Sequence, residues 1–134
     1  MIVLDTNACS FLIRGESRRL ESRLREIPPR EVCISAVTRA ELLYGLARRP
    51  KALRLHESVA AFFARVRSFP WSNDAASHYA EIRASLESAG VPIGPLDQMI
   101  AAHARSLGAA LVTGNVREFS RVARLQVLDW VRDA

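Results

Sequence analysis

The sequence has few cysteines and lacks long apolar runs. Its 134 residues include two cysteines, Cys9 and Cys33, and neither stands at a spacing typical of metal sites. Both lie among apolar residues, so we expect buried free thiols and no disulfide. No apolar run approaches the roughly 20 residues of a membrane-spanning helix. The first residues carry neither a basic region nor a cleavage site, so no secretory signal is indicated and we expect a cytoplasmic protein.

Lysine is nearly absent, although the chain is strongly basic. Of the 19 basic residues only Lys51 is a lysine, and the formal net charge is +5 with a pI of about 10.2. Arginine makes bidentate contacts with phosphate, and a basic domain suggests a polyanionic partner such as a nucleic acid. A genome rich in G and C would raise the arginine content without any functional cause. The charge by itself therefore leaves both interpretations open.

Apolar residues make up 49% of the chain and fall into short runs of two kinds. Runs with helical spacing predict helices over residues 8–13, 16–27, 36–48, 51–69, 74–89 and 96–107. Short continuous runs predict strands over residues 2–4, 32–34, 110–112 and 125–128. Asn7, Ser35 and Asn73 are the predicted N-caps of three of the helices. Strands that alternate with helices indicate an α/β fold with a parallel sheet flanked by helices, in one domain over residues 1–134.

Three acidic residues stand where such a fold brings strand ends together. Asp5 directly follows the first strand, Glu41 lies in the helix after the second, and Asp97 begins the helix before the 110–112 strand. The carboxyl ends of parallel strands share one edge, where open α/β sheets bind their ligands. Glu41 also shares a helix face with Val37 and Tyr44. It is therefore expected to point toward the core, where an unpaired carboxylate is costly.

Each of these acids also has an ordinary structural explanation. Asp97 suits a helix N-terminus, Glu41 suits a buried pair with an arginine, and Asp5 suits the end of a strand. Taken together, three acids aimed at one edge favour a divalent-metal pocket. All-oxygen ligation suits Mg²⁺ or Mn²⁺ better than zinc. Such a pocket in a basic protein is suited to the hydrolysis of phosphodiester bonds.

The histidines offer no alternative metal site. His56, His78 and His103 have no metal-ligand spacing with one another or with cysteine. His103 shares a helical stripe with Met99 and Leu107, so it is predicted to be a core histidine.

Four blocks of sequence follow one another along nearly the whole chain. They are IVLDTN from residue 2, ISAVTRAELLYGL from residue 34, IGPLDQMIAAHARSLG from residue 93 and LVTGNVREFSRVARLQVLDW from residue 111. In this order they resemble the PIN-domain ribonucleases and, more narrowly, the VapC toxins of type II toxin–antitoxin modules. A single block would be weak, whereas four in order are specific.

The resemblance implies a PIN-like fold and a Mg²⁺- or Mn²⁺-dependent endoribonuclease. Carried over residue by residue, it implies that Asp5, Glu41 and Asp97 hold the metal and catalyse cleavage. It also implies that three neighbouring hydroxyl or amide residues, Thr6, Asn7 and Thr113, position the substrate or water.

The fourth acidic position departs from the form that many relatives have. Where they carry an aspartate this chain has Asn115, within the Asn-x-x-Glu-Phe form of residues 115–119 that other relatives share. Asn115 is then expected to position a water molecule, and Glu118 to supply the missing charge. A solvated turn residue is an equal alternative for Glu118. The departure bears on a second metal site more than on the activity.

The resemblance further implies partners. Proteins similar to VapC usually form homodimers and are neutralised by a small VapB-like antitoxin, whose C-terminal segment occupies an apolar groove. The RNA targets in the family are structured and often tRNA. No residue of this sequence identifies the target.

Two other enzyme classes fail on specific residues. A haloacid-dehalogenase-type phosphatase requires a second aspartate two residues after Asp5, where this chain has Asn7. A receiver domain requires a lysine at a strand end, and Lys51 lies between helices. The remaining alternative is a PIN-like module that binds RNA without cleaving it. The presence of Asp5, Glu41 and Asp97 argues against it.

Overall fold

A five-stranded parallel sheet forms the centre of the molecule. The structure is a computed structural model and describes residues 1–132. The strands are β1 (Ile2–Leu4), β2 (Val32–Ser35), β3 (Arg67–Phe69), β4 (Ala110–Val112) and β5 (Val127–Leu128). They lie in the order β3-β2-β1-β4-β5, and every neighbouring pair is parallel.

Helices cover both faces of the sheet, which confirms the predicted α/β class. They are α1 (Thr6–Arg14), α2 (Arg18–Arg25), α3 (Ala36–Ala47), α4 (Leu53–Arg65), α5 (Asn73–Ser88), α6 (Pro95–Ser106) and the short α7 (Val116–Phe119). A single 3₁₀ turn, Pro29–Glu31, leads into β2.

The core consists of two apolar clusters, one on each face. Val3, Cys33 and Leu111 contribute to the cluster that packs against α5 and α6. The next residue of each strand, Leu4, Ile34 and Val112, faces the cluster formed with α1, α2 and α4. Successive side chains of a strand point to opposite faces, and here both faces are buried. This is why the central strands are short, unbroken apolar runs.

The prediction of one long helix over residues 51–69 is wrong. Helix α4 ends at Arg65, and residues Arg67–Phe69 form the edge strand β3. Cys33, Ile34 and Ser35 of β2 pair with them in register. The free edge of β2 therefore decides the conformation of a segment whose apolar spacing alone is typical of a helix.

Two of the predicted helix caps are also wrong. The N-cap of α1 is Asp5, and that of α5 is Ser72, where Asn7 and Asn73 were predicted. Ser35 caps α3 as predicted, since its side chain accepts a hydrogen bond from the Val37 amide. Helix α2 is shorter than predicted because its chain enters the helix only after Ser17, whose side chain caps it.

The cysteine prediction is confirmed. Cys9 and Cys33 are free and buried, on opposite faces of the sheet. Burial raises the pKa of the Cys33 thiol to about 11, which makes it a poor nucleophile. None of the helices in the described part of the chain combines the length and the apolar character that a membrane span needs.

Candidate active site

Asp5 lies at the carboxyl end of β1, in the middle of the sheet. Its side chain is 2% exposed and is fixed by two hydrogen bonds. Oδ1 accepts from the Ala8 amide at 2.7 Å, which caps α1, and Oδ2 accepts from the Thr113 hydroxyl at 2.5 Å. Thr113 follows β4, the neighbour of β1. The Asp5 carboxylate is therefore oriented by the ends of two adjacent strands.

Glu41 reaches the same edge from α3. Its Oε1 accepts a hydrogen bond of 2.6 Å from the Thr6 hydroxyl, which directly follows Asp5 in the chain. The Thr6 oxygen also lies 3.2 Å from the hydroxyl oxygen of Thr38, one turn before Glu41 on α3. Glu41 is half-buried, and this threonine pair holds its carboxylate beside the start of α1.

Asp97 stands in the first turn of α6, where it is half-buried. The loop before it is fixed by the neighbouring Gln98, whose side-chain amide donates a 2.9 Å hydrogen bond to the carbonyl of Ile93. Gln98 is buried, so this bond sets the point where the chain enters α6.

Asn115 and Glu118 close the edge on the β4 side. The Asn115 amide nitrogen of the backbone donates to Thr113 Oγ1 at 2.8 Å, and its side-chain Nδ2 donates to Glu118 Oε2 at 2.8 Å. Both side chains are half-buried. Asp5, Thr113, Asn115 and Glu118 thus form one chain of hydrogen bonds.

Electrostatic repulsion connects the four carboxylates. The pKa of Asp5 is raised from 3.8 to about 6, chiefly by burial and further by the charges of Asp97 and Glu41, although its two hydrogen bonds oppose the rise. Burial also raises the pKa of Asp97 to about 6, with the charges of Glu118 and Glu41 adding to it. Within residues 1–132, no arginine or lysine forms an ion pair with any of the four. The site therefore concentrates negative charge that is not paired with any basic side chain of the described residues.

The donor set fits a hard divalent cation. Carboxylate, hydroxyl and amide oxygens are the ligands that Mg²⁺ and Mn²⁺ prefer. The mutual repulsion of the acids would be relieved by a cation between them. In the part of the chain that the structure describes, no three His, Cys, Asp or Glu side chains already form a finished metal site. The carboxylates would therefore have to move closer together to share one ion.

Asn7 has a different position from the one predicted. It does not cap α1; its Oδ1 accepts a 3.1 Å hydrogen bond from the Gly114 amide, in the loop after β4. The other predicted positions, Thr6 and Thr113, lie directly against Glu41 and Asp5. Asn7 therefore ties the start of α1 to the loop that leads from Thr113 to Asn115.

Gly114→Ala is expected to disturb this tie. A Cβ atom at Gly114 would lie 2.6 Å from Asn7 Oδ1 and 3.3 Å from Val131 Cγ1, both too close. We expect a loss of about 1–3 kcal/mol in the free energy of unfolding, and about a tenfold loss of RNA cleavage as the loop shifts. Urea unfolding and a cleavage assay measure the two effects.

Gly45→Ala on α3 is the matched control. A Cβ atom there meets nothing within 4 Å. A helical Gly→Ala change should raise stability by up to about 1 kcal/mol. Wild-type behaviour of Gly114→Ala in both assays would show that the Asn7–Gly114 contact is unimportant.

Two positions that help to organise the site, Thr38 and Gln98, were missed from the sequence, and so was the contact between Ser35 and His103. Thr38 precedes Glu41 by one helical turn, a spacing that offered a signal because both side chains share a face. Gln98 gave no signal, since its partner is a loop carbonyl. Ser35 and His103 are hydrogen-bonded to each other across 68 residues. His103 is 2% exposed, which confirms that it is a core histidine.

Comparison with known proteins identifies the family. A family model for the PIN domain matches residues 2–125, a span that contains all four acids. The tRNA(fMet)-specific endonuclease VapC of Shigella flexneri is 41% identical over 128 residues, which cover 96% of each chain. This chain belongs to the VapC family of PIN-domain proteins.

Solved structures of VapC-family complexes share its fold. VapBC2 from Rickettsia felis, bound to a promoter DNA fragment, matches with a TM-score of 0.90 and 32% identity, over 97% of this chain and 99% of that one. DNA-bound VapBC from Salmonella typhimurium matches with a TM-score of 0.89 and 38% identity, over 96% and 97% of the two chains. The resemblance to the VapC family that the sequence motifs predicted is thereby confirmed.

Proposed function

We propose that this protein is a Mg²⁺- or Mn²⁺-dependent endoribonuclease, the toxin of a toxin–antitoxin pair, acting in the cytoplasm through a single PIN domain over residues 1–134. The observation that carries the proposal is the meeting of Asp5, Glu41, Asp97 and Glu118 at one edge of the sheet, without a basic partner among residues 1–132. Membership of the VapC family supports the same activity.

Asp5, Glu41 and Asp97 would hold the metal ion through their carboxylate oxygens. A bound divalent ion supplies a Lewis acid that neutralises charge on the scissile phosphate and strengthens water as a nucleophile. The chain contributes the orientation of these ligands. Thr113 and the Ala8 amide hold Asp5, and Thr6 holds Glu41.

Asn115 and Glu118 complete the proposed site on the β4 side. The bond from Asn115 Nδ2 to Glu118 Oε2 leaves the side-chain oxygen Oδ1 of Asn115 to accept a hydrogen bond from a water molecule beside the phosphate. Glu118 supplies the negative charge that an aspartate provides in many relatives. It also offers a carboxylate that can take up a proton from that water.

RNA is the proposed substrate, and tRNA is the first class to test. The net charge of +5 favours a phosphate backbone. The Shigella relative is named as specific for tRNA(fMet), which supports a structured RNA as the target here.

Cleavage of a labelled tRNA pool with and without metal tests the proposal. We expect cleavage with Mg²⁺ or Mn²⁺, at least about a hundredfold less after chelation with EDTA, and recovery when excess metal is added. Binding of tRNA without any cleavage in either metal would support the non-catalytic RNA-binding module instead. Cleavage that persists unchanged in EDTA would contradict the metal-dependent mechanism.

A VapB-like antitoxin and a second copy of the chain are the proposed protein partners. A groove of about 610 Å³ between α1, α2 and α4 is suited to an apolar antitoxin segment; among its lining residues are Leu12, Ile13, Leu24, Ile27 and Phe62. Arg25 and Arg65 also line it and could pair with acidic residues of such a segment. The exposed apolar residues Leu43, Tyr44 and Leu53 support a homodimer. Light scattering on the chain, alone and with its antitoxin, tests both partners.

A further inference from the structure

A buried hydrogen bond joins the helices that carry Glu41 and Asp97. His103 Nδ1, on α6, lies 2.7 Å from Ser35 Oγ, at the junction of β2 and α3. Ser35 is 1% exposed and His103 2% exposed. The pair is thus a polar contact in an otherwise apolar region, where a hydrogen bond has a strict geometric requirement.

Ser35 serves two elements through the same oxygen. Its Oγ accepts a 3.1 Å hydrogen bond from the Val37 amide and so caps α3. The hydroxyl can at the same time donate to an unprotonated Nδ1 of His103 or accept from a protonated one. Burial lowers the pKa of His103, which favours the neutral ring. Any shift of α6 relative to the start of α3 would cost this bond.

The position of the link relative to the acids is symmetrical. Glu41 lies six residues after Ser35 on α3, and Asp97 lies six residues before His103 on α6. Each acid is therefore about 9 Å along its helix from the link. Helices α3 and α6 pack against each other, and the charge of Glu41 contributes to the raised pKa of Asp97. The Ser35–His103 bond is a fixed point in the packing of these two helices.

We propose that His103 and Ser35 are positioning residues that set the spacing between Glu41 and Asp97. The inference rests on the proposed function, because that spacing matters only if the two carboxylates share a cation. Within residues 1–132, neither side chain is hydrogen-bonded to any of the four acids. Their effect is transmitted through α3 and α6, as with the outer hydrogen-bond partners of metal ligands in general.

Mn²⁺ binding measured by calorimetry is the decisive readout, with RNA cleavage and thermal unfolding measured beside it. His103→Leu removes the hydrogen bond and replaces the imidazole with an apolar side chain of similar volume. We expect about tenfold weaker Mn²⁺ binding and about tenfold slower cleavage. His103→Asn, whose Nδ2 can occupy the place of Nδ1, should stay within about twofold of wild type.

Ile82→Val on α5 is the control for general destabilisation. Ile82 packs in the apolar cluster that contains Ala102 and Ala104 of α6, but it lies outside the link and the site. It should lower the unfolding free energy by about 0.5–1.5 kcal/mol and leave the Mn²⁺ affinity unchanged. Ser35→Ala and His103→Leu break the same bond, so their effects on Mn²⁺ affinity should not add. The double variant should bind Mn²⁺ as tightly as whichever single variant has the lower Mn²⁺ affinity.

The outcomes separate the inference from the proposed function. If wild type neither binds Mn²⁺ nor cleaves RNA, the proposed function fails and the inference with it. If wild type does both and His103→Leu binds Mn²⁺ equally well, only the positioning role is overturned. The positioning role would also be overturned if Ile82→Val weakened Mn²⁺ binding as much as His103→Leu does. It would likewise be overturned if the losses of Mn²⁺ affinity in the two single variants added up in the double variant.

Discussion

Asp5→Asn is expected to cleave RNA at least about a hundredfold more slowly than wild type. The charge stabilisation that a metal supplies is worth several kcal/mol, and each 1.36 kcal/mol corresponds to a factor of ten in rate. Asp5 is the most deeply buried of the four acids, and the charges of Asp97 and Glu41 both act on it. Removing its charge should therefore weaken metal binding more than any other single change.

Asparagine is the right substitute because it preserves the fold around Asp5. Its carbonyl oxygen can still accept from the Ala8 amide, so the cap of α1 remains. Its NH₂ group can donate to Thr113 Oγ1, since the threonine hydroxyl is able to reverse its role. Asp5→Ala would also remove the cap of α1, which would cost about 0.5–2 kcal/mol of stability. A loss of cleavage could then come either from the lower stability or from the missing carboxylate.

Asp74→Asn is the matched control for the change in charge. Asp74 is exposed in the first turn of α5, outside the site. It should cleave RNA within about twofold of wild type, because charges at an exposed helix terminus contribute little. Equal cleavage by wild type and Asp5→Asn under the same purification would point to a contaminating nuclease and contradict the assignment.

The central part of the fold was predictable because both faces of the sheet are buried. Strands β1, β2 and β4 are continuous apolar runs, which is the pattern that such strands must have. Strand β3 was not predictable, since Arg67 is exposed and the run before it continues the helical spacing of α4. Its conformation depends on the edge of β2, a partner more than 30 residues away in sequence.

The acids of the site were predictable for a related reason, whereas their supports were not. Asp5 and Asp97 interrupt apolar patterns, and a carboxylate in such a place requires a partner. The face expected for Glu41 is less apolar than its spacing indicated, because Tyr44 is 64% exposed. Asn7 was assigned the cap that Asp5 provides because both residue types suit that position, and the sequence does not show where the helix starts. The bonds of Gln98 and Ser35 depend on loop and helix placement, which only the folded chain defines.

The stability of the metal-free protein should depend on pH through Asp5. Its pKa rises from 3.8 to about 6 on folding, so protonation favours the folded state. The stabilisation by the bound proton is complete below the unfolded value of 3.8 and is lost as the pH rises through about 6. The difference between the two values corresponds to about 3 kcal/mol for the buried carboxylate.

Comparing wild type with Asp5→Asn in EDTA isolates this effect. The pKa of Asp97 is also raised and that of His103 is lowered, so these groups act in opposite directions, but both variants contain them. In urea unfolding, Asp5→Asn should be more stable than wild type by up to about 3 kcal/mol near neutral pH, with the gap closing as the pH falls toward about 4.

Adding Mn²⁺ should reverse the order of the two proteins at neutral pH. A cation bound only by the folded state raises its stability by an amount that grows with the ratio of free metal to Kd. Wild type should gain this stabilisation and Asp5→Asn should not, because the cation offsets the repulsion that destabilises the charged site. If the difference in unfolding free energy between the two proteins in EDTA does not change with pH, the pKa of Asp5 is not raised. An equal response of both proteins to Mn²⁺ would mean that Asp5 is not a ligand.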